Sequence, residues 1–230
     1  MRSRPSWIDI SYAVIKRKDR VLAKFDDNIY FGLGNNIRFG LFSFLGGPTK
    51  ELVISQDISR GGTQWVISLS PRPHIIFDGP KWAAGREGDD MRIIDLDNDG
   101  VYEIIVPLTV FYGFSEWVPT GRTPLPMAIF RYDKKAREYV PANLQFQDYL
   151  LKGVAGEKRN ISPPEDRINH ITDILPIVVD YIFAGKEKEA WTFFDESYKL
   201  SDKKEMKAKI TAVVRGQPVY RFIYKKASAH

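Results

Sequence analysis

Nine consecutive residues, Asp95-Leu96-Asp97-Asn98-Asp99-Gly100-Val101-Tyr102-Glu103, place carboxylates at the first, third, fifth and ninth positions, with a glycine directly after the third. Carboxylate oxygens are ligands for hard cations, and calcium takes six to eight oxygens at ~2.3–2.6 Å. Alternate side chains reach one centre only if the loop curls tightly. Gly100 permits the left-handed turn this needs, the Val101 carbonyl can add an oxygen, and Glu103 closes the shell. Three aspartates packed this tightly repel one another, so the spacing asks for a counter-ion. The expected chemistry is calcium binding by Asp95, Asp97, Asp99, Val101 and Glu103. The competing reading is an Asp-rich hairpin held by Asx turns and hydrated by water.

Other constellations are weaker. The three histidines are His74, His170 and His230, and none lies in an H-E-x-x-H. His170 has Asp166 four residues before it and Asp173 three after, which on a helix line one face; zinc binding and surface ion pairing are the two readings, and ion pairing is favoured. Gly113-Phe114-Ser115 is followed by Glu116 and Trp117, so the second glycine of a nucleophile elbow is missing. Gly32-Leu33-Gly34 has no third glycine for a dinucleotide fingerprint. With no cysteine there is neither a disulfide framework nor a thiolate site. The chain therefore reads as a non-enzymatic binding protein. Its rival is a hydrolase in which Asp89 or Asp90 works with Glu116 near a metal in the same acidic loop. The stretch from Thr109 to Pro126, too long for a hairpin connection, carries Phe111, Tyr112, Phe114 and Trp117. It is the candidate surface for an unknown protein or carbohydrate ligand, the alternative being aromatics that cover a small satellite core.

The elements that must position these residues change character along the chain. From residue 8 to about 145, short runs of Val, Ile, Phe, Tyr and Trp alternate with Gly, Pro, Asn and Asp clusters, predicting strands. They fall near Ile8–Ile15, Val21–Phe25, Phe39–Leu45, Glu51–Gln56, Gln64–Leu69, His74–Phe77, Met91–Leu96, Tyr102–Leu108, Met127–Tyr132 and Glu138–Val140. Short polar links at 68–73 and 132–137 make antiparallel hairpins. Leu45–Ile54 can be laid over Leu96–Val106 with one gap, giving a repeat of about 50 residues that recurs in groups of four strands. After residue 145 the apolar period becomes helical. Ser162-Pro163-Pro164-Glu165 reads as a capping box, followed by Ile168, Ile171, Leu175, Val178 and Ile182, with a kink at Pro176 and a stop at Gly185. Helices from Lys186 to Tyr198 and from Ser201 onward follow, with Trp191, Phe194 and Ile171 expected to face the β part, and Val219–Tyr224 reads as a final strand. The expected fold is α+β: antiparallel, propeller-blade-like repeats over residues 1–150, then a helical hairpin over 151–230 docked on them.

The D-x-D-x-D-G-x-x-E loop between two apolar strands resembles the calcium loops of FG-GAP and VCBS-type β-propeller repeats, over Met91–Val106 and more faintly over Phe39–Ile54. The resemblance implies a calcium-stapled blade in a binding or adhesion protein. In the first copy Gly46, Gly47 and Pro48 stand where carboxylates belong, so one repeat at most would hold metal. An EF-hand is disfavoured because its twelfth position is Val106. About 145 residues hold roughly three blades, short of the four that close a ring, which leaves an open stack, an irregular sandwich or two unrelated hairpins.

Composition sets the outer bounds. At 230 residues, with 43% hydrophobic and 27% charged, the chain can bury a core. The net charge of +5 invites a nucleic-acid reading, but the charges are spread: 12 basic against 7 acidic residues over 1–85, 10 against 12 over 86–160, and 12 against 10 over 161–230. No basic stripe forms, and Lys16-Arg17-Lys18 before Asp19 reads as a solvated turn. No run reaches the ~20 apolar residues of a membrane span, and Met1-Arg2-Ser3-Arg4-Pro5 has no apolar segment after it. A soluble chain without an export signal is expected, although one freed of a leader would read the same.

Overall fold

The computed structural model describes residues 13–25, 36–58, 61–82, 91–116 and 118–227. Ten strands form three antiparallel sheets, and helices follow. A hairpin of β1 (Ala13–Arg17) and β2 (Arg20–Phe25) comes first. Its turn is the Lys18-Asp19 link, exposed and with Lys18 in the left-handed region at φ 54°, as the charge pattern predicts. The predicted strand residues 8–12 lie outside the described residues.

Two four-stranded meanders follow. β3 (Asn36–Phe42), β4 (Glu51–Ile58), β5 (Gly61–Ser68) and β6 (His74–Asp78) pair in chain order. So do β7 (Arg92–Ile94), β8 (Glu103–Pro107), β9 (Met127–Asp133) and β10 (Glu138–Pro141). Every described strand thus overlaps one of the apolar runs read from the sequence, and the central strand β8 is buried along its whole length. In the β9–β10 turn the Asp133 carboxylate accepts the amides of Lys135 (2.8 Å) and Ala136 (2.9 Å), and Arg137 turns left-handed at φ 58°.

The helices are α1 (Gln147–Leu150), α2 (Val154–Glu157), α3 (Arg167–Phe183), α4 (Glu187–Ser197), α5 (Lys203–Arg215) and α6 (Pro218–Ala227). Three expectations are corrected here. The first is the capping box. Helix α3 starts later, at Arg167, where the Asp166 carboxylate caps the amide of Asn169, while Ser162 donates its amide and hydroxyl to Asp173 at 2.9 and 2.6 Å. A turn over 163–166, closed by the Asp166 amide on the Pro163 carbonyl at 3.1 Å, precedes the helix, so the box residues Ser162 and Glu165 lie outside it. The helix contains Pro176 and ends at Phe183, with Gly185 just past its end where the stop is expected. There the amide of Lys186 bonds the Tyr181 carbonyl and that of Gly185 bonds Ile182, both at 2.9 Å, a Schellman closure with Gly185 at φ 79°.

The second correction concerns Val219–Tyr224, which is helical. Pro218 opens α6 at the position proline favours, and Val219 and Ile223, four apart, are buried, a period that alternation in a six-residue window imitates. The third concerns Trp191, which is half-buried and faces its own helical neighbours. Its ring meets Phe194 edge-on at 6.1 Å, with Lys207 of α5 5.1 Å above it. Phe194, by contrast, is fully buried.

One hydrophobic core joins the sheets to the helices. Phe44, Phe77, Ile104 and Phe130 from the meanders share it with Ile174, Val178 and Ile182 of α3 and Ile223 of α6. A smaller cluster, Ile54, Trp65 and Ile67, covers the other face of the first meander and receives Ile15 from the first hairpin. Between the two parts stands Asn143, with no exposed surface: its Oδ1 accepts the Ile129 amide (2.9 Å), and its Nδ2 donates to the carbonyls of Met127 (3.0 Å) and Phe183 (2.9 Å). It ties β9 to the C-terminus of α3. Among the described residues no helix is long and apolar enough to cross a membrane.

Candidate metal centre

The acidic loop joins β7 to β8 and is shaped by its own side chains. Asp95 accepts the amide of Asp99 on Oδ1 (3.1 Å) and of Gly100 on Oδ2 (3.0 Å), and Asp99 Oδ1 accepts the Val101 amide (2.8 Å). Asn98 and Gly100 take left-handed backbone at φ 59° and 83°. These are the residue types that reach that region at little cost. The curl brings one carboxylate oxygen from each of Asp95, Asp97 and Asp99 within 4.8 Å of the others. The Asx turns of the competing reading are therefore present, and they are what converges the carboxylates.

Glu103 sits below them at the start of β8. It is fully buried; its Oε2 accepts the Leu96 amide at 2.9 Å, and its Oε1 has no hydrogen-bond partner. Burial pushes its carboxyl above the ordinary range. The Leu96 amide opposes that shift and the charge of Asp97 adds to it. Asp99 moves the other way, held low chiefly by the Val101 amide.

Sequence reasoning missed Arg131. From β9 its Nη2 reaches Asp97 at 2.7 Å and Asp99 at 2.6 Å, its Nε lies 3.7 Å from Glu103 Oε1, and its Nη1 donates to Gln145 at 3.2 Å. The repulsion among the aspartates is thus partly met from within the chain. Four ionised carboxylates around one guanidinium still leave a formal excess of three negative charges.

A second copy of the loop lies 52 residues earlier, and the register needs no gap. Glu51 is buried and its Oε2 accepts the Phe44 amide at 2.9 Å, seven residues back, as Glu103 does with Leu96. Gly46 (φ 69°) matches Asn98. The positions of Asp95, Asp97 and Asp99 are taken by Ser43, Leu45 and Gly47, so only the framework of the loop is repeated. The two loops touch: Tyr102 donates its amide to the Phe44 carbonyl at 2.8 Å, and a Cβ on Gly46 would stand 2.2 Å from the Gly100 oxygen. Beside them opens a cleft of about 460 Å³ lined by Phe42, Lys50 and Tyr102 among others.

The remaining candidates are dispersed. Phe111 is fully buried and meets Phe114 edge-on at 5.4 Å, so it faces the core and offers no surface to a ligand. Tyr112 and Phe114 are half-buried, and Trp117, Asp89 and Asp90 lie outside the described residues. The segment's end is pinned to α3, where Arg122 bonds Asn169 and, at 3.3 Å, Asp173. His170 is neither a zinc ligand nor a surface ion pair. It is buried, its Nδ1 donating to the Ser162 carbonyl (2.6 Å) and its Nε2 accepting the Lys199 amide (3.4 Å). Compared with protein-family models, curated proteins and solved structures, the chain matches none.

Proposed function

We propose that this chain is a non-enzymatic binding module whose two meanders are blade-like repeats of the FG-GAP and VCBS kind, one of them stapled by calcium in the loop Asp95–Glu103. What supports the reading is one juxtaposition: the converged carboxylates of Asp95, Asp97 and Asp99 beside a buried glutamate oxygen, Glu103 Oε1, with no hydrogen-bond partner. A buried carboxylate oxygen without a hydrogen bond is costly, and a hard cation is the ligand that would use all four acids at once. Asp95, Asp97, Asp99, Glu103 and the Val101 carbonyl would hold it. Bound calcium would supply positive charge and a cross-link between β7 and β8; Asp95 and the two left-handed residues hold the loop in shape for it. The ligand class is a protein or a carbohydrate, met by the exposed edges of Tyr112 and Phe114 and by the Phe42–Tyr102 cleft.

The test is a thermal melt in calcium and in EDTA. Binding to the native state alone stabilises by ~2.7 kcal/mol at a hundredfold excess over the dissociation constant. For a chain of this length that is an expected rise of roughly 5–10 °C. Asp97→Ala should abolish the rise, and it is the informative variant: Asp97 meets Arg131 and accepts no backbone amide among the described residues, so the loop can keep its shape without it. Identical wild-type melts in calcium and EDTA would reject the staple.

A further inference from the structure

Resting on the calcium reading, we infer that Arg131 is the resident cation of the acidic loop and that calcium binds by exchange with its guanidinium. Arg131 touches three of the four acids, spanning Asp97, Asp99 and Glu103, and so stands among the oxygens a divalent ion would need. The contacts are uneven. Nη2 is close to both aspartates, but Nε stays 3.7 Å from Glu103 Oε1, which keeps no hydrogen bond although it is buried. The arginine therefore offsets the charge of the site without satisfying it. A compact ion with a larger charge and more coordination positions has something left to gain there.

The internal repeat supplies an independent argument. In the second meander the last aligned pair of β8 and β9 is Ile104 with Phe130, which sets Glu103 opposite Arg131 one step on. In the first meander the matching pair is Leu52 with Ile67, which sets Glu51 opposite Ser68. The copy whose loop carries Ser43, Leu45 and Gly47 has serine at the cross-strand position; the copy whose loop carries three aspartates has arginine. The buried glutamate is common to both, so Arg131 answers to the aspartates and not to the glutamate. Gln145 holds its Nη1 outside the carboxylate cluster, leaving the side chain an anchor when the cluster is given up.

The exchange predicts opposite effects of one substitution. In EDTA, Arg131→Gln leaves the acids without a counter-ion and should melt below wild type. In calcium the same variant no longer competes, so titration with calcium chloride should give roughly tenfold tighter binding, equivalent to ~1.4 kcal/mol. The difference in melting temperature should then close at saturating calcium. Arg131→Lys keeps the charge but not the fork that spans three acids, so it should melt between the two in EDTA and bind calcium severalfold more tightly than wild type. Should Arg131→Gln fail to fold, Arg131→Lys decides alone. Wild-type binding that neither variant tightens overturns the exchange and leaves the calcium site standing. No binding by any of the three chains overturns both. Binding by Arg131→Gln alone overturns the exchange in this chain and makes the arginine the permanent occupant of the loop.

Discussion

Asn143 offers the most quantitative test of how the helices are held to the sheets. Its orientation follows from its partners, since the oxygen faces an amide and the nitrogen faces two carbonyls, and the opposite amide flip would break all three bonds. Asn143→Ala leaves the amide of Ile129 and the carbonyls of Met127 and Phe183 unpaired in a site with no solvent. Each orphaned group costs ~1–3 kcal/mol, so even the lower end totals ~3 kcal/mol. At ~2–4 °C per kcal/mol for a chain of this length, the midpoint should fall by about 6–12 °C. Asn143→Asp keeps an acceptor for Ile129 but sets a carboxylate against two carbonyls, and should be at least as damaging at neutral pH. Urea unfolding monitored by tryptophan fluorescence measures both. A loss below ~0.5 kcal/mol for the alanine variant would refute the account of a saturated buried amide joining β9 to α3.

Three further substitutions test two separate features. Burial pushes the Asp180 carboxyl of α3 up to about 7, with the charge of Glu157 adding to the shift. An unfolded aspartate titrates near ~3.9, so ionisation favours the unfolded chain as pH rises from about 4 to 7. Asp180→Asn should therefore be more stable than wild type at pH 8, by an amount that shrinks toward pH 4; an equal difference at both pH values would contradict the assignment. Gly46→Ala meets the Gly100 carbonyl and needs a left-handed alanine, a conformation that alone costs ~1–2 kcal/mol, whereas Gly47→Ala finds its nearest neighbour, Thr49 Oγ1, at 3.7 Å. Denaturation midpoints should separate the pair clearly, and equal midpoints would show that the two loops do not touch.

The strands were legible because they are runs of β-branched and aromatic residues bounded by Gly, Pro, Asn and Asp turns, and the central strands β5 and β8 are buried at successive residues on both faces. The acidic loop was legible for another reason: its shape comes from its own side chains, Asp95 and Asp99 bonding amides within six residues. What depends on distant residues was not. Arg131 is an ordinary strand arginine until β9 lies beside β8, and the core role of Asn143 exists only once α3 returns to the sheet. Local patterns also misled where a neighbour outcompeted them. Ser162 and Glu165 spell a cap, yet Asp173 takes the serine and Asp166 caps the helix. Val219–Tyr224 alternates like a strand, yet Pro218 starts a helix whose Phe222 meets Trp82 edge-on at 5.7 Å. The repeat was visible at its glutamates, Glu51 and Glu103, but its 52-residue register emerged from the matching backbone hydrogen bonds.

The central claim, that the loop from Asp95 to Glu103 holds calcium, is tested most directly by calorimetric titration of calcium chloride into wild-type protein freed of metal with EDTA. The account predicts a saturable isotherm with one calcium per chain, lost in Asp97→Ala, whose fold is checked by circular dichroism. A flat titration of folded wild-type protein up to millimolar calcium would contradict it and leave Arg131 as the loop's permanent counter-ion.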